Sequence, residues 1–334
     1  MREHKKSHLG IMGWAMFLAG ALSLGSCSSD ETLETMEKKA IAFGNVSIEN
    51  GSRAAEDPSY NGTKLLGQFN VWGTVKGNVN TVQIFDGATV TRGEAAYSSP
   101  WECSVTQYWI PNAIYNFMAI ANADPANVTK NVTTGMPETI TYNVDATAIP
   151  VLDGSKDLLL GEPVVVQTDE MAEPYENHVN ENGCVAFIMS HLLSKVHFSF
   201  LSTSSLKSIQ ISDIQVKGYY ASGIYTIGAD EPWDVQEEPT DENAFLNFGS
   251  ASNVNSTTAV ESTYARLIIP GNQTWTISFL QDGEQKSTTL THTFNPNTEY
   301  NIRITVEGGS EITFVIDIEV FEKWGNKQDI PLNP

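Results

Sequence analysis

Cysteine and histidine are scarce in this chain of 334 residues, with three of the first and six of the second. Beyond the N-terminal region only His178, His191, His197 and His292 remain, and none falls at a spacing that makes a metal site or sets a base beside a nucleophile. No glycine-rich phosphate loop leads into a helix, and no serine occupies a Gly-x-Ser-x-Gly elbow. Acidic residues are plentiful, yet no pair is singled out for glycoside hydrolysis. Basic residues are few: 19 stand against 40 acidic ones, a formal charge of −21. That balance argues against nucleic acid and against electrostatic attachment to anionic membrane. No catalytic residue, cofactor or metal ligand is nominated, and the chain reads as a non-enzyme.

Long apolar runs are missing too, save one at the start. Arg2, Lys5 and Lys6 precede an uncharged, mostly apolar stretch from Leu9 to Ser26, the pattern of an export signal. It ends in Leu24-Gly25-Ser26-Cys27, which resembles the lipobox of bacterial lipoproteins. The resemblance implies cleavage before Cys27, lipid on its sulfur and anchorage in outer-membrane lipid. A single membrane-spanning helix is the rival, since about 18 uncharged residues lie at the lower limit for crossing a bilayer. The small residues Gly20, Ala21, Ser23, Gly25 and Ser26, and the acidic Asp30-Glu31 where a basic stop would stand, favour the lipobox. With Cys27 lipidated, Cys103 and Cys184 are left. One disulfide, or two free thiols packed as small hydrophobes, both fit.

Residues 28 to 39 are polar and acidic and read as a tether. From Ile41 onward the hydrophobic period is two. Thr139 to Val144, Lys195 to Phe200, Thr274 to Phe279 and Tyr300 to Val306 alternate polar and apolar residues without a break, as half-buried strands do. Weaker strands are expected at Phe69 to Val75, Val82 to Phe85, Tyr108 to Ile110, Ile114 to Ile120, Pro163 to Val166, Ile209 to Val216, Arg266 to Ile269 and Thr288 to Phe294. Asn61-Gly62, Asp86-Gly87, Asp282-Gly283 and Gly308-Gly309 are dipeptides that tolerate positive φ and predict tight turns. Phe187 to Lys195 fits a short amphipathic stretch or a buried strand. Dense short strands with Gly and Asn turns predict sandwiches or barrels, not βα units. Thr168 to Gly183 is polar enough to mark a domain junction. Ala229 to Asn243 is acidic but lacks a calcium-ligand spacing, so a solvated loop is expected there. Within it Trp233 is the candidate ligand contact, a flat ring for a surface glycan; most other tryptophans, such as Trp275 in phase with Ile277 and Phe279, are expected in the core.

The order of these pieces resembles the fimbrillin family, subunits of the type V pili of Gram-negative anaerobes. The resemblance rests on Ala40-Ile41-Ala42-Phe43 before a run to Arg53, on Phe69-Asn70-Val71-Trp72-Gly73, and on Trp101 followed by Tyr108-Trp109-Ile110-Pro111 and Tyr115-Asn116-Phe117. Further on come His191 to Val196, Pro296-Asn297-Thr298-Glu299-Tyr300 and Trp324. It implies an all-β chain of two transthyretin-like β-sandwich domains in tandem after a lipoprotein signal peptide. The expected division is 1–26 signal, 27–53 tether and removable first strand, 54–180 N-terminal sandwich and 181–334 C-terminal sandwich. It also implies proteolysis between Arg53 and Ala54, which would free the strand Ala40 to Ile48 and open a groove for a neighbour's strand. An ordinary exposed loop arginine is the alternative for Arg53. The donor expected is residues 312–321, with Ile312, Phe314, Ile316, Ile318 and Val320 on one face. The implied partners are other pilus subunits, with adhesion to a host or bacterial surface glycan or protein, and the implied location is the fimbrium on the outer membrane and cell surface. The rival reading is a surface glycan-binding lipoprotein.

Overall fold

Period-two alternation becomes paired strand along the chain. The computed structural model describes residues 38–44, 46–48, 67–77, 80–92, 101–144, 146, 157–180, 182–203, 208–237, 244–306 and 314–321. The first strands are β1 (Ser47–Ile48), β2 (Gln68–Lys76), β3 (Thr81–Arg92), β4 (Trp101–Cys103) and β5 (Ile114–Ala121). Next come β6 (Val128–Lys130), β7 (Pro137–Asn143), β8 (Leu159–Gly161), β9 (Val164–Gln167) and β10 (Ile188–His191). Then follow β11 (Ser194–Ser202), β12 (Ile209–Lys217), β13 (Ser222–Thr226), β14 (Trp233–Glu237), β15 (Leu246–Val254) and β16 (Val260–Glu261). The last are β17 (Arg266–Ile268), β18 (Gly271–Gln281), β19 (Glu284–Phe294), β20 (Thr298–Val306) and β21 (Phe314–Phe321). Two single 3-10 turns, Pro125–Asn127 and Glu176–His178, are the helical elements among the described residues. The fold is all-β.

The N-terminal sheet has the order β1-β10-β8-β5-β2-β3-β4, with β9 also on β5. Its central strand β2 is buried from Phe69 to Val75, because both faces are covered. Phe69, Val71 and Val75 join a core with Phe85, Phe117 and Phe187. Trp72, on the opposite face, joins Ile120, Val128, Ile140, Leu192 and Leu193 in another. Over that second face lies a sheet of order β14-β13-β7-β6, in which β7 pairs with β13 from the far half of the sequence.

The C-terminal sandwich faces β16-β11-β20-β21, with β17 on β11, against β15-β12-β18-β19. Val196, Phe198, Phe200, Ile302 and Ile304 from one sheet meet Ile214, Phe248, Trp275, Ile277 and Phe279 from the other. The alternation in Lys195–Phe200 and Thr274–Phe279 is thus the signature of one wet and one buried face. β11 and β20, a hundred residues apart, run parallel over their whole length, Ser194 opposite Thr298 to Ser202 opposite Val306.

Two local expectations change in the first half of the chain. Asp86-Gly87 turns no hairpin: it lies inside β3, where Val71 pairs with Ala88 but Gly73 with Phe85. Gly87 takes φ +67 there, as a bulge requires, against the Trp72 ring. Tyr108 to Ile110 is no strand; Tyr108 makes one isolated bridge to Ala40. Asp282-Gly283 does form the β18–β19 turn, with φ positive at both residues. Phe187 to Lys195 resolves into strand on either side of a corner at Leu192-Leu193.

Candidate functional site

The segment Lys39–Ile48 enters the N-terminal core from outside and is held by backbone on two sides. On one side the Ile41 N–H donates to Gln107 O at 2.8 Å and the Trp109 N–H to Lys39 O at 3.1 Å. It then changes partner. The Val185 N–H donates to Ala42 O at 2.8 Å, the Gly44 N–H to Val185 O at 2.9 Å, and β1 continues parallel to β10. Ile41 and Phe43 point inward and are 5% and 3% exposed, while Ala42 between them faces out. The Phe43 ring stacks on Phe187 at 6.1 Å and meets Phe69, Phe85 and Phe117 edge-on at 6.4, 5.4 and 5.9 Å. Burying Ile41 and Phe43 stabilises the seat by about 1.5–3 kcal/mol each. The period breaks at Gly44, which is packed closely: a Cβ there would lie 3.3 Å from Cβ of Cys184. Lys39 closes the entrance with a 2.7 Å pair to Glu173, half-exposed on both sides and so a minor contributor.

The other nominated residues fall as follows. Cys27, Arg53, Ala54 and Ile312 lie outside the described residues. Phe314, Ile316, Ile318 and Val320 belong to β21, the edge strand bonded to β20 with Phe314 opposite Val306 and Val320 opposite Tyr300. Ile318 is half-buried against the C-terminal core. Trp233 is not in a loop; it opens β14, half-buried, with Tyr142 and Tyr225 edge-on at 6.5 and 5.3 Å and its indole N–H donating to Leu192 O at 3.1 Å. Cys103 and Cys184 are both free thiols, and burial pushes each of them up from its ordinary pKa.

Sequence reasoning missed a buried pair beside the corner at Leu192-Leu193. Asp157 is fully buried and His191 5% exposed, with Nδ1 of the imidazole 2.6 Å from Oδ2 of the carboxylate. Burial pushes the Asp157 carboxyl up, and the neighbouring His191 and Lys195 offset only part of that rise. The Leu192 N–H donates to Leu158 O, so the pair fastens the strand crossing from β10 to β11. Residues 34 apart carry no sequence signal of such a contact.

Residues 52–321 match the family model described as fimbrillin-like. The chain belongs to the fimbrillin-like family. This is a family of structural fimbrial proteins rather than enzymes, and it supports a pilus-subunit and adhesion role at the cell surface. No curated protein matches. Among solved structures, a candidate cell adhesion protein from Bacteroides uniformis is 13% identical, covers 85% of this chain and 98% of its own, and has a TM-score of 0.52. One from Bacteroides ovatus is 12% identical over 85% and 97%, with a TM-score of 0.53. Both share the fold. The fimbrial anchor protein Mfa2 of Porphyromonas gingivalis, 14% identical over 85% and 97%, overlays more weakly at 0.38.

Proposed function

We propose that this fimbrillin-like chain is a fimbrial subunit joined to its neighbours by strand exchange at the groove now filled by Lys39–Ile48. The observation that supports it is the way this segment is seated. It is bonded on both flanks, by Gln107 and Trp109 on one and Val185 on the other, and it plugs the core with Phe43. Taken out, it leaves two unpaired backbone edges and an apolar slot, which an extended strand from another subunit restores. Export as a lipoprotein through Cys27 brings the subunit to the outer membrane, and proteolysis between Arg53 and Ala54 frees the segment. The incoming strand is 312–321. Its described part, β21, lies at a sheet edge and among the described residues pairs with β20 only, so its departure breaks one set of backbone pairs. Its apolar residues contribute about 1.5–3 kcal/mol each once buried, enough to make the link slow to dissociate. The sheet built around β2 acts as acceptor and the C-terminal sandwich as donor of successive links, and the fibre serves adhesion to a host or bacterial surface.

Processed wild-type protein should form a ladder of oligomers on a mildly denaturing gel, with chains beginning at Ala54 by mass spectrometry. Arg53→Ala should stay monomeric under the same protease. Equal ladders from both, or none from wild type at high concentration, would overturn strand exchange.

A further inference from the structure

The C-terminal sandwich is closed along one flank and open along the other. On the closed flank the segment between β16 and β17 bonds to β15: the Thr263 N–H donates to Ser250 O at 2.9 Å and the Tyr264 N–H to Phe248 O at 3.1 Å. On the other flank the sheets end in β19 and β21, and among the described residues β19 pairs with β18 only.

The edge formed by β19 is unusual for a soluble sheet. Its 11 residues pair with β18 in unbroken register from Gly271 opposite Phe294 to Gln281 opposite Glu284, with no bulge and no proline. Soluble proteins shield such edges with charge, proline, bulges or shortness. Here the shield covers one end alone. Lys286 turns inward, 6% exposed, and holds Glu284 at 2.8 Å. From Ser287 to Thr293 the sequence is Ser-Thr-Thr-Leu-Thr-His-Thr, without a carboxylate, lysine or arginine. Ser287, Thr289, Thr291 and Thr293 face solvent, and Thr291 Oγ1 lies 3.0 Å from Thr274 Oγ1 across the hairpin.

The other edges differ. β14 contains Asp234 and Glu237, and β21 contains Asp317 and Glu319. β4 and β6 have three residues each, and the register of β15 on β12 is broken by shifts. At net charge −21 two copies of the chain repel overall, and an edge without charge adds least to that repulsion.

We propose that β19 is a self-association edge that joins two copies of this chain antiparallel about a two-fold axis at Leu290. This isologous arrangement sets Thr289 opposite the partner's Thr291, Ser287 opposite the partner's Thr293 and Thr288 opposite the partner's His292. It merges two four-stranded sheets into one and places the two Glu284 carboxylates at opposite ends. Pairing over 287–293 runs about 23 Å at roughly 3.3 Å per residue. The groove at Lys39–Ile48 takes no part, so the pairing itself is independent of strand exchange. Its consequence, side-by-side bundling of fibres, rests on the assembly proposed above.

The test uses the full chain with Arg53→Ala, in which strand exchange is blocked, together with Cys103→Ser and Cys184→Ser. Chains carrying Thr289→Cys and chains carrying Thr291→Cys, mixed and gently oxidised, should form disulfide dimers about fivefold or more faster than either alone, since directly opposite residues meet disulfide geometry. Thr289→Lys with Thr291→Lys should weaken dimerisation in sedimentation by about tenfold or more, as like charges then face each other across the two-fold. Circular dichroism and thermal melting of this variant should match the parent. Cross-linking from Asp234→Cys on β14 at an equal rate, a parent that stays monomeric at its solubility limit, or a lysine variant that is folded and still dimeric would each overturn β19 pairing. None of these bears on the Arg53 ladders, so the two readings fail separately.

Discussion

Replacing Phe43 by alanine removes the ring that four phenylalanines enclose at 5.4 to 6.4 Å. Large-to-small changes of this kind cost about 3–5 kcal/mol, the figure rising with the cavity that remains. Three of the neighbours, Phe69, Phe85 and Phe117, sit on long paired strands, and all four rings are at most 1% exposed, so the wall has little freedom to close inward. The upper part of the range, about 4–5 kcal/mol, is therefore expected in urea unfolding monitored by tryptophan fluorescence. Because the plug belongs to a segment and not to a long strand, local release should precede global unfolding. Limited proteolysis should cut within 39–48 much faster in Phe43→Ala than in the parent, and Ala42→Ser, at the outward position between the two plugs, should change neither quantity. A loss below about 1 kcal/mol, or equal cutting rates, would mean that the segment is not seated by Phe43 and would refute the reasoning.

His191→Leu strands the Asp157 carboxylate in the core, and breaking a buried pair this way costs about 3–5 kcal/mol. Burial raises the Asp157 pKa, so the folded state binds its proton more tightly than the unfolded state. The loss in His191→Leu should be full at neutral pH and shrink as pH falls and the acid becomes neutral, as urea titrations at several pH values would show. His292 works the other way: burial lowers it from 6.5. The unfolded chain takes that proton first, so this contribution is present above about pH 6.5 and lost as pH falls below it. His292→Leu should flatten the fall in melting temperature between about pH 7 and pH 5. Trp233→Phe keeps the ring among Tyr142 and Tyr225 but deletes the bond to Leu192 O, for a loss of about 1 kcal/mol in the same unfolding assay.

The strands themselves were legible in the amino-acid sequence. Lys195–Phe200, Thr274–Phe279 and Tyr300–Val306 lie on β11, β18 and β20, and Thr139–Val144 lies on β7 up to Asn143, because a face that is dry on one side writes a period of two into the chain. Ile41 and Phe43 carry the same period and are both buried, and it stops at Gly44, where a Cβ would lie 3.3 Å from Cβ of Cys184. What the sequence could not specify was partnership. Nothing local tells β11 to lie parallel to β20, or β7 to pair with β13 from the other half, because those pairings are chosen by cores that form at long range. Asp86-Gly87 has the same positive-φ chemistry in a bulge as in a turn, and only the pairing of β2 with β3 on both sides of it decided for the bulge. Trp233 sat among acidic residues that read as loop, and the hairpin with β13 made it strand. Asp157 and His191 became a buried pair only when the crossing from β10 to β11 brought them within 2.6 Å. Periodicity is a property of neighbours along the chain, whereas edges, grooves and buried charges belong to neighbours in space, and these are set only when the sheets have closed on one another.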